Sequence, residues 1–230
     1  MGLVEKTYFK IPLEELKDID ELFFRQIQMD GDRVLKKFKK LFDETKEVVY
    51  SSFTSEGLCQ SFKIEEIKDN AVFLEGGEHL DGKMTARVFA KSEEAVICTV
   101  TIHGYHELEG QSDDFMREFF YDGWGTAFAE AAFAWLKEQV KEDLQKSGIY
   151  STCSWSPGQH NVDIHLQRPV FRMLQPETIG ITLNDTCMMY PKKSISGFFG
   201  IGTEADIEYI RACDFCERRE TCPSAYATMK

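Results

Sequence analysis

The chain has 230 residues, of which 43% are hydrophobic and 29% charged, and this composition excludes intrinsic disorder and repetitive fibrous classes. Its 39 acidic residues outnumber 27 lysines and arginines, and the net charge of −12 makes binding to a nucleic-acid backbone unfavourable. No apolar run is long enough to span a membrane, and the first ten residues lack a signal-peptide pattern. We therefore expect a cytoplasmic protein without membrane or nucleic-acid partners.

Two helices are predicted in the first part of the chain. Pro12 suits a first helical turn, and apolar residues then recur at three- and four-residue spacing as far as residue 29. After a break at residues 30–32, a second helix carries four lysines among its apolar positions. These lysines favour a solvated face over a docking surface.

Short strands separated by glycine turns are predicted next. The segment at residues 95–102 is almost continuously apolar, which is typical of a strand buried on both faces. The predicted strands cover residues 48–50, 71–74, 84–90 and 95–102.

The longest predicted helix covers residues 114–146, where Gly123 and Gly125 are expected to bend or interrupt it. A loop, a short helix and two strands are predicted to follow, and a helix is expected to begin at Thr203. This order of helices, strands, a long helix and further strands predicts an α+β fold. The later elements are placed at residues 151–163, 164–174, 179–183 and 194–201.

Three cysteines near the C-terminus form the sharpest chemical motif. Cys213 and Cys216 are spaced so that one turn can direct both thiolates at one metal, and Cys222, followed by proline, can return to the same centre. Cys187, Cys153 or an outside group would supply the fourth ligand. The spacing fits an iron–sulfur cluster or zinc, while a reducible thiol pair or a plain cysteine-containing tail are the alternatives.

Other catalytic signals are weak. His103 and His106 stand at the end of a predicted strand, where exposed loop histidines are more common than a metal site. The chain contains no dinucleotide-binding, phosphate-loop, nucleophile-elbow or zinc-protease motif. We therefore assign no catalytic residue, and whether the protein is an enzyme stays open.

The second half of the chain contains a distinctive ordered set of short segments. They are residues 155–159 (WSPGQ), 174–180 (LQPETIG), 181–189 (ITLNDTCMM), 191–197 (PKKSISG) and 201–202 (IG). This set resembles the reactivation domain of cobalamin-dependent methionine synthase. The resemblance extends over roughly residues 90–222 and is greatest to free-standing relatives from anaerobic bacteria, which often end in a short cysteine cluster. The first 80 residues match poorly.

The resemblance implies a curved, twisted antiparallel sheet with a long helix and flanking helices. The family domain binds S-adenosylmethionine over a cobalamin that another module holds, and it supplies the methyl group when oxidised cobalt is reduced and rescued. A family pattern, Arg-x-Ser/Ala-Pro-Gly-Tyr, contacts S-adenosylmethionine. This chain keeps Ser156, Pro157 and Gly158, but Ser154 stands at the arginine position and Gln159 at the tyrosine position.

Glu130 stands where the family's long helix carries a glutamate that contacts the cofactor amine, although a solvent-facing helix glutamate is an equal alternative. Loss of the arginine removes a charge-assisted carboxylate contact, a loss of about 1.5–3 kcal/mol. We therefore expect S-adenosylmethionine to bind weakly or not at all.

The resemblance implies an accessory protein that docks on a corrinoid-bearing protein and helps return inactive Co(II) to the Co(I) or methylated state. A reductant or electron-transfer protein would be a second partner, and the cysteine cluster a possible relay. A non-enzymatic corrinoid-binding or chaperone module and an unrelated metal-binding redox protein are the alternatives. We expect residues 1–85 to be an N-terminal helical and β-rich segment, 86–202 the core and 203–230 a cysteine tail, within one compact unit.

The corrinoid-bearing partner is expected on a concave surface. The stretches at residues 156–160 and 192–197 would form this surface. Lys192 and Lys193 interrupt an otherwise acidic chain there.

Overall fold

The computed structural model describes residues 2–204, 207, 210–217 and 219–222. The described helices are α1 (Ile19–Gln26), α2 (Gly31–Lys37), α3 (Lys39–Ser52), α4 (Lys83–Val88), α5 (Tyr105–Leu108), α6 (Phe115–Lys146) and α7 (Gln167–Leu174). The described strands are β1 (Thr7–Ile11), β2 (Thr54–Lys68), β3 (Ala71–Leu74), β4 (His79–Asp81), β5 (Glu94–His103), β6 (Tyr150–Ser151), β7 (Thr182–Leu183), β8 (Met189–Tyr190) and β9 (Ser194–Gly202). Short 3-10 turns cover Leu13–Glu15, Ile164–Leu166, Pro176–Ile179 and Ala212–Phe215.

Within the described residues, seven strands form one antiparallel sheet in the order β4-β3-β2-β5-β9-β6, with β1 added beside β2. Strand β2 is long enough to pair with β1 along its first part and with β3 along its second part. The register of β2 shifts between Ile64 and Glu66, where the pairing with β3 is irregular. Such a bulge bends a strand and increases its twist. Strands β7 and β8 form a separate hairpin.

The sheet separates two hydrophobic cores, and β5 contributes to both. Val96 and Val100 face one core, whereas Ala95 and Ile97 face the other. This alternation follows the two-residue period of a strand and confirms the prediction that residues 95–102 are buried on both faces.

Helices α1, α3 and α6 cover one face of the sheet and form the helix-side core. Trp124 of α6 stacks on Phe23 of α1, with ring centroids 3.9 Å apart, and its indole N–H donates to Thr45 of α3 at 3.0 Å. The hydrogen bond satisfies the polar end of a fully buried tryptophan. The helix-side core includes Phe23, Phe42, Trp124, Phe128 and Phe199.

The other face is covered by α4, α7 and the segment after β6, which form the loop-side core. Helix α7 contains Pro169 at its third residue, where the missing N–H costs no helical hydrogen bond. The predicted short helix at 164–174 is therefore confirmed as a 3-10 turn followed by α7. The loop-side core includes Leu74, Phe89, Trp155, Leu174 and Phe198.

Two strand predictions are wrong. Residues 48–50 end α3, because Phe42, Thr45 and Val49 recur at helical spacing along its buried face. Most of residues 84–90 belong to α4 (Lys83–Val88), which buries Thr85 and Val88 three positions apart. The strands at 71–74 and 95–102 are confirmed, whereas the 15-residue strand β2 was not predicted.

The helix predictions are mostly confirmed, with different limits. The segment at 12–29 forms a 3-10 turn followed by α1, and the long helix α6 runs without interruption through Gly123 and Gly125. Asp114 caps the start of α6 by accepting from the amides of Met116 and Arg117. The late strand at 194–201 is confirmed as β9, and only 182–183 of the strand at 179–183 are extended.

The helix expected to begin at Thr203 extends into residues outside the described part of the chain. In the described part, no helix combines the length and the apolar character that crossing a membrane requires.

Candidate functional site

The loop at residues 154–159 lies against the last long strand of the sheet. The amide of Trp155 donates to the carbonyl of Phe198 at 2.8 Å, and the amide of Phe198 donates back at the same distance. A Cβ at Gly197 would lie 2.9 Å from the Trp155 carbonyl and 3.1 Å from the Ser156 hydroxyl. Glycine is therefore needed at position 197 for the loop to approach β9 this closely.

The loop forms its turn with its own polar groups. The amide of Gln159 donates to the carbonyl of Ser156 at 3.0 Å, and the side-chain oxygen of Gln159 accepts from the amide of Ser156 at 3.1 Å. Gly158 has φ +87°, a left-handed conformation that suits glycine. Pro157 is buried beside it. The loop thus keeps its Pro-Gly turn, and the Gln159 side chain stabilises that turn.

A lysine of the long helix reaches the loop. The ammonium group of Lys137 donates to the Ser154 hydroxyl at 2.9 Å and lies 5.0 Å from the centroid of the Phe133 ring. Lys141, one turn further along α6, donates to the carbonyl of Thr152 at 3.4 Å. Two cationic groups therefore lie beside the position where the family pattern has its arginine.

Burial sets the charge state of these lysines. Loss of hydration, together with repulsion from Lys141, lowers the pKa of Lys137 to about 8 from its ordinary value of 10.5. Burial also lowers the pKa of Lys141, while the neighbouring Cys153 and Cys98 raise it. A lysine whose pKa burial lowers to about 8 and which donates to Ser154 makes this position a candidate for a functional site.

A thiol pair lies inside the helix-side core. Cys59 and Cys98 face each other across β2 and β5, with their sulfur atoms 2.9 Å apart. Burial raises the pKa of the Cys59 thiol well above its usual range, so the thiol stays protonated at neutral pH. The seven cysteines, all within the described residues, form no disulfides.

The segment that carries the first two cluster cysteines packs beside the same loop. The indole N–H of Trp155 donates to the carbonyl of Ile210 at 3.0 Å, and the Phe215 ring lies 6.4 Å from the Trp155 ring. The guanidinium of Arg87 lies 5.3 Å from the centroid of the Phe215 ring. Cys213 lies within the 3-10 turn Ala212–Phe215, and the amide of Cys216 donates to its carbonyl at 3.2 Å.

The arrangement of the cysteines does not by itself make a metal centre. Among the described residues, no group of three or more histidine, cysteine, aspartate or glutamate side chains is placed to hold one metal ion. Cys213, Cys216 and Cys222 are partly exposed, while Cys187 is buried and its sulfur accepts from the Arg168 guanidinium at 3.4 Å. The shared site stays a prediction.

Glu130 lies in a different place from the loop. Its carboxylate accepts from the Gln26 amide of α1 at 2.9 Å, and it lines a cleft between α1 and α6 that residues 154–159 do not line. Burial raises the pKa of Glu130, while Arg25 lowers it. The structure therefore shows no contact between this glutamate and the loop.

The expected basic surface needs correction. Lys193 is 9% exposed, and its ammonium group binds Asp122 at 2.6 Å and Thr126 at 2.9 Å on α6. Lys192 pairs with Glu109. Lys193, the residue before β9, therefore ties the start of this strand to α6 and presents no free charge to a partner. Gly197 does lie beside Ser156.

The expectation of exposed loop histidines is only partly met. His103 is the half-buried last residue of β5 and lies 2.9 Å from the Glu56 carboxylate, whereas His106 is exposed but lies in the short helix α5.

Comparison with known proteins supports the fold. A solved structure titled as the MetH reactivation domain bound to AdoHcy matches with a TM-score of 0.64 and 16% sequence identity, covering 98% of this chain and 90% of that chain. No protein-family model and no curated protein matches the chain. The chain thus has an α+β fold like that of the reactivation domain, as its sequence predicted.

Proposed function

We propose that this protein is an accessory factor that docks on a corrinoid-bearing protein and assists the return of inactive Co(II) to the Co(I) or methylated state. The observation that carries the proposal is the structural similarity to the MetH reactivation domain over 98% of this chain. The ordered Pro157–Gly158 turn against β9 supports it, because this loop is one of the segments that carry the sequence resemblance. Cobalamin would belong to the partner.

The residues present do not fit S-adenosylmethionine well. Ser154 stands where the family has arginine, and the Gln159 side chain is hydrogen-bonded within its own turn. Glu130 contacts α1 and lies in a separate cleft. We therefore expect S-adenosylmethionine to bind this protein weakly or not at all.

Reduction of Co(II) to Co(I) requires one electron, which a reductant or electron-transfer protein would deliver. We propose that the cysteine segment at residues 213–222 lies near the docking surface, since Phe215 packs on Trp155 of the candidate loop. The iron–sulfur relay is the finer part of the proposal, with zinc as its alternative. The described residues do not bring together a complete set of metal ligands for such a cluster.

A second candidate function is a corrinoid-binding or chaperone module without methyl transfer. One observation favours it. Ser154 and Gln159, which replace the arginine and tyrosine of the family pattern, form hydrogen bonds within the protein, to Lys137 and to the amide of Ser156, and neither side chain is left for a ligand. Such a module would bind the corrinoid-bearing protein without changing its cobalt state.

The deciding experiment uses an oxidised corrinoid protein and a chemical reductant, with and without this protein. We expect faster recovery of methyl-acceptor activity and a Co(II)-to-Co(I) change in the visible spectrum when the protein is present. Binding without any change in recovery would favour the module, and the absence of both binding and recovery would overturn the proposal. Substitution of the β9 glycine that packs on the loop, Gly197→Ala, should impair docking. Gly202→Ala on the same strand, where a Cβ would meet only ordinary contacts of 3.4–3.5 Å, is the control.

The cysteine site has its own test. Protein purified without oxygen should contain stoichiometric iron and charge-transfer absorption, and Cys216→Ser should lose both while Cys59→Ser, inside the helix-side core, should keep them. Zinc in place of iron would support the alternative metal. Metal-free protein after reconstitution with iron, sulfide and zinc would remove the metal site from the proposal.

A further inference from the structure

Two lysines of α6 lie next to each other beside the candidate loop. Lys137 and Lys141 are four residues apart, so their side chains start from the same face of the helix, about 5–6 Å from each other. Lys137 donates to the Ser154 hydroxyl at 2.9 Å, and Lys141 donates to the carbonyl of Thr152 at 3.4 Å. The two ammonium groups therefore lie along the short segment from residue 152 to residue 154.

This pair of lysines has donors left for a ligand. Lys137, Lys141 and Ser154 are each partly exposed, so the group borders the solvent. An ammonium group carries three N–H donors, and the described hydrogen bonds use one donor of each lysine. A ligand that arrives from the solvent can accept from the donors that remain.

The pair carries two positive charges that no carboxylate offsets. In the part of the chain that the structure describes, neither lysine forms an ion pair with an aspartate or a glutamate. Both lysines instead interact with the thiols of Cys98 and Cys153, and a thiol is ordinarily uncharged at pH 7. Burial, and then repulsion from Lys141, lower the pKa of Lys137. An anion bound to both lysines would offset this repulsion.

The number of charges indicates the kind of anion. A carboxylate carries one negative charge and would offset one of the two lysines. A phosphate monoester carries about 1.5–2 negative charges at pH 7 and has three oxygens that accept strong hydrogen bonds. The two ammonium groups and the Ser154 hydroxyl supply three donor groups for these three oxygens.

We propose that Lys137, Lys141 and Ser154 bind the phosphate group of a small phosphate monoester. This inference goes beyond the proposed corrinoid function and does not depend on it. The family pattern has one arginine for a carboxylate at this loop. The two lysines, by contrast, belong to none of the segments that carry the resemblance, and their combined charge fits a dianion. Failure of phosphate binding would leave the corrinoid proposal unchanged.

The test uses calorimetry on the full chain at constant ionic strength, with methyl phosphate and dimethyl phosphate as probes. The two compounds differ by one methyl group, but only methyl phosphate can carry a second negative charge. We expect saturable binding of methyl phosphate at millimolar concentration or below, and at least tenfold weaker binding of dimethyl phosphate and of acetate. Equal binding of these compounds, or no saturable binding of methyl phosphate, would overturn the proposal. Tighter binding of inorganic phosphate than of methyl phosphate would overturn the ester and assign the site to the free ion.

Matched variants of the same helix locate the ligand. Lys137→Met and Lys141→Met each remove one ammonium group of the pair, whereas Lys146→Met removes one from a lysine that is 73% exposed and pairs with Asp143 at 2.8 Å. We expect the first two variants to weaken methyl phosphate binding at least tenfold, and Lys146→Met less than threefold. Equal effects of all three would refute the assignment, because they would show only a general attraction of anions to the helix. Burial disfavours the charge of Lys137, so Lys137→Met is expected to fold, and its comparison with Lys146→Met decides if Lys141→Met does not fold.

Discussion

Lys137 connects the long helix to the candidate loop, and its effect on the free energy of unfolding depends on pH. Its pKa is lowered to about 8 by burial, whereas in the unfolded chain it has an ordinary value near 10.5. Between these values the unfolded state binds more protons, so this residue makes the protein more stable as pH rises from about 8 to 10.5. Below pH 8 the charged, half-buried form reduces stability by about 3 kcal/mol, because each unit of pKa corresponds to about 1.4 kcal/mol.

We therefore expect Lys137→Met to stabilise the protein by about 1–2 kcal/mol at pH 7 and to flatten the rise between pH 8 and 10.5. Urea unfolding of both proteins across this range measures the difference. The raised pKa of the buried Cys59 thiol has the opposite effect, because it favours unfolding in alkali. Both proteins contain this thiol, so its contribution cancels when their free energies of unfolding are subtracted. Identical pH profiles would show that Lys137 is fully hydrated.

Ser154 and Gln159 allow the loop's weak fit to S-adenosylmethionine to be tested directly. An arginine at 154 would lie beside the ammonium group of Lys137, which is 2.9 Å from the present hydroxyl. Lys137→Met removes that neighbouring charge. The variant Ser154→Arg/Gln159→Tyr/Lys137→Met should therefore bind S-adenosylmethionine at least tenfold more tightly than the wild type, since one charge-assisted contact adds about 1.5–3 kcal/mol. Calorimetry decides this, and tight binding by the unmodified chain would contradict it.

Helix α6 illustrates a competition between helix propensity and packing. Replacing Gly123 by alanine gains about 1 kcal/mol of helix propensity. The new Cβ, however, would lie 2.6 Å from a methyl group of Ile27 and 3.2 Å from the Phe23 ring. Such overpacking costs about 1–3 kcal/mol.

We expect overpacking to win, so that Gly123→Ala destabilises the protein by about 1 kcal/mol. Urea unfolding measures this, with the exposed Ala134→Gly as a control that reports helix propensity alone. A stabilised Gly123→Ala variant would mean that α1 moves aside at little cost.

The elements with strong local patterns were predictable from the sequence. The capped helix α6 and the doubly buried strand β5 have such patterns, and both were predicted. Strand β2 was not predicted, because its last third, at residues 64–68, is largely exposed and carries charged side chains at and beyond the bulge. The apolar residues of α4 and the end of α3 fit either a strand or a helix, and their tertiary packing decides between them.

The candidate loop was predictable, but its neighbours were not. The Pro-Gly turn at 157–158 is a local signal that can be read from a short segment. Lys137 was missed because its contact with Ser154 depends on how α6 packs over the sheet. The only available sequence signal was a pair of lysines one turn apart, with Phe133 one turn before them.

At the scale of the whole molecule, the C-terminal segment completes the loop-side core. Ile210 is 4% exposed, and its carbonyl accepts from the buried indole of Trp155. Deleting residues 204–230 would expose Trp155 and leave its N–H without this acceptor. Lost burial of one isoleucine costs about 1.5–3 kcal/mol, and an orphaned donor about 1–3 kcal/mol.

We expect this truncated protein to keep its helices and seven-stranded sheet, because the described contacts of the sheet lie before residue 203. At about 2–4 °C per kcal/mol for a domain of this size, its Tm should fall by about 5–20 °C. The tryptophan emission should shift to the red. The shift should be absent when the truncation is combined with Trp155→Phe, since Trp124 and Trp135 belong to α6 and pack in the helix-side core. Loss of the helical circular dichroism signal would contradict the expectation that residues 203–230 form a tail outside the core. It would show that this segment is an integral part of the fold.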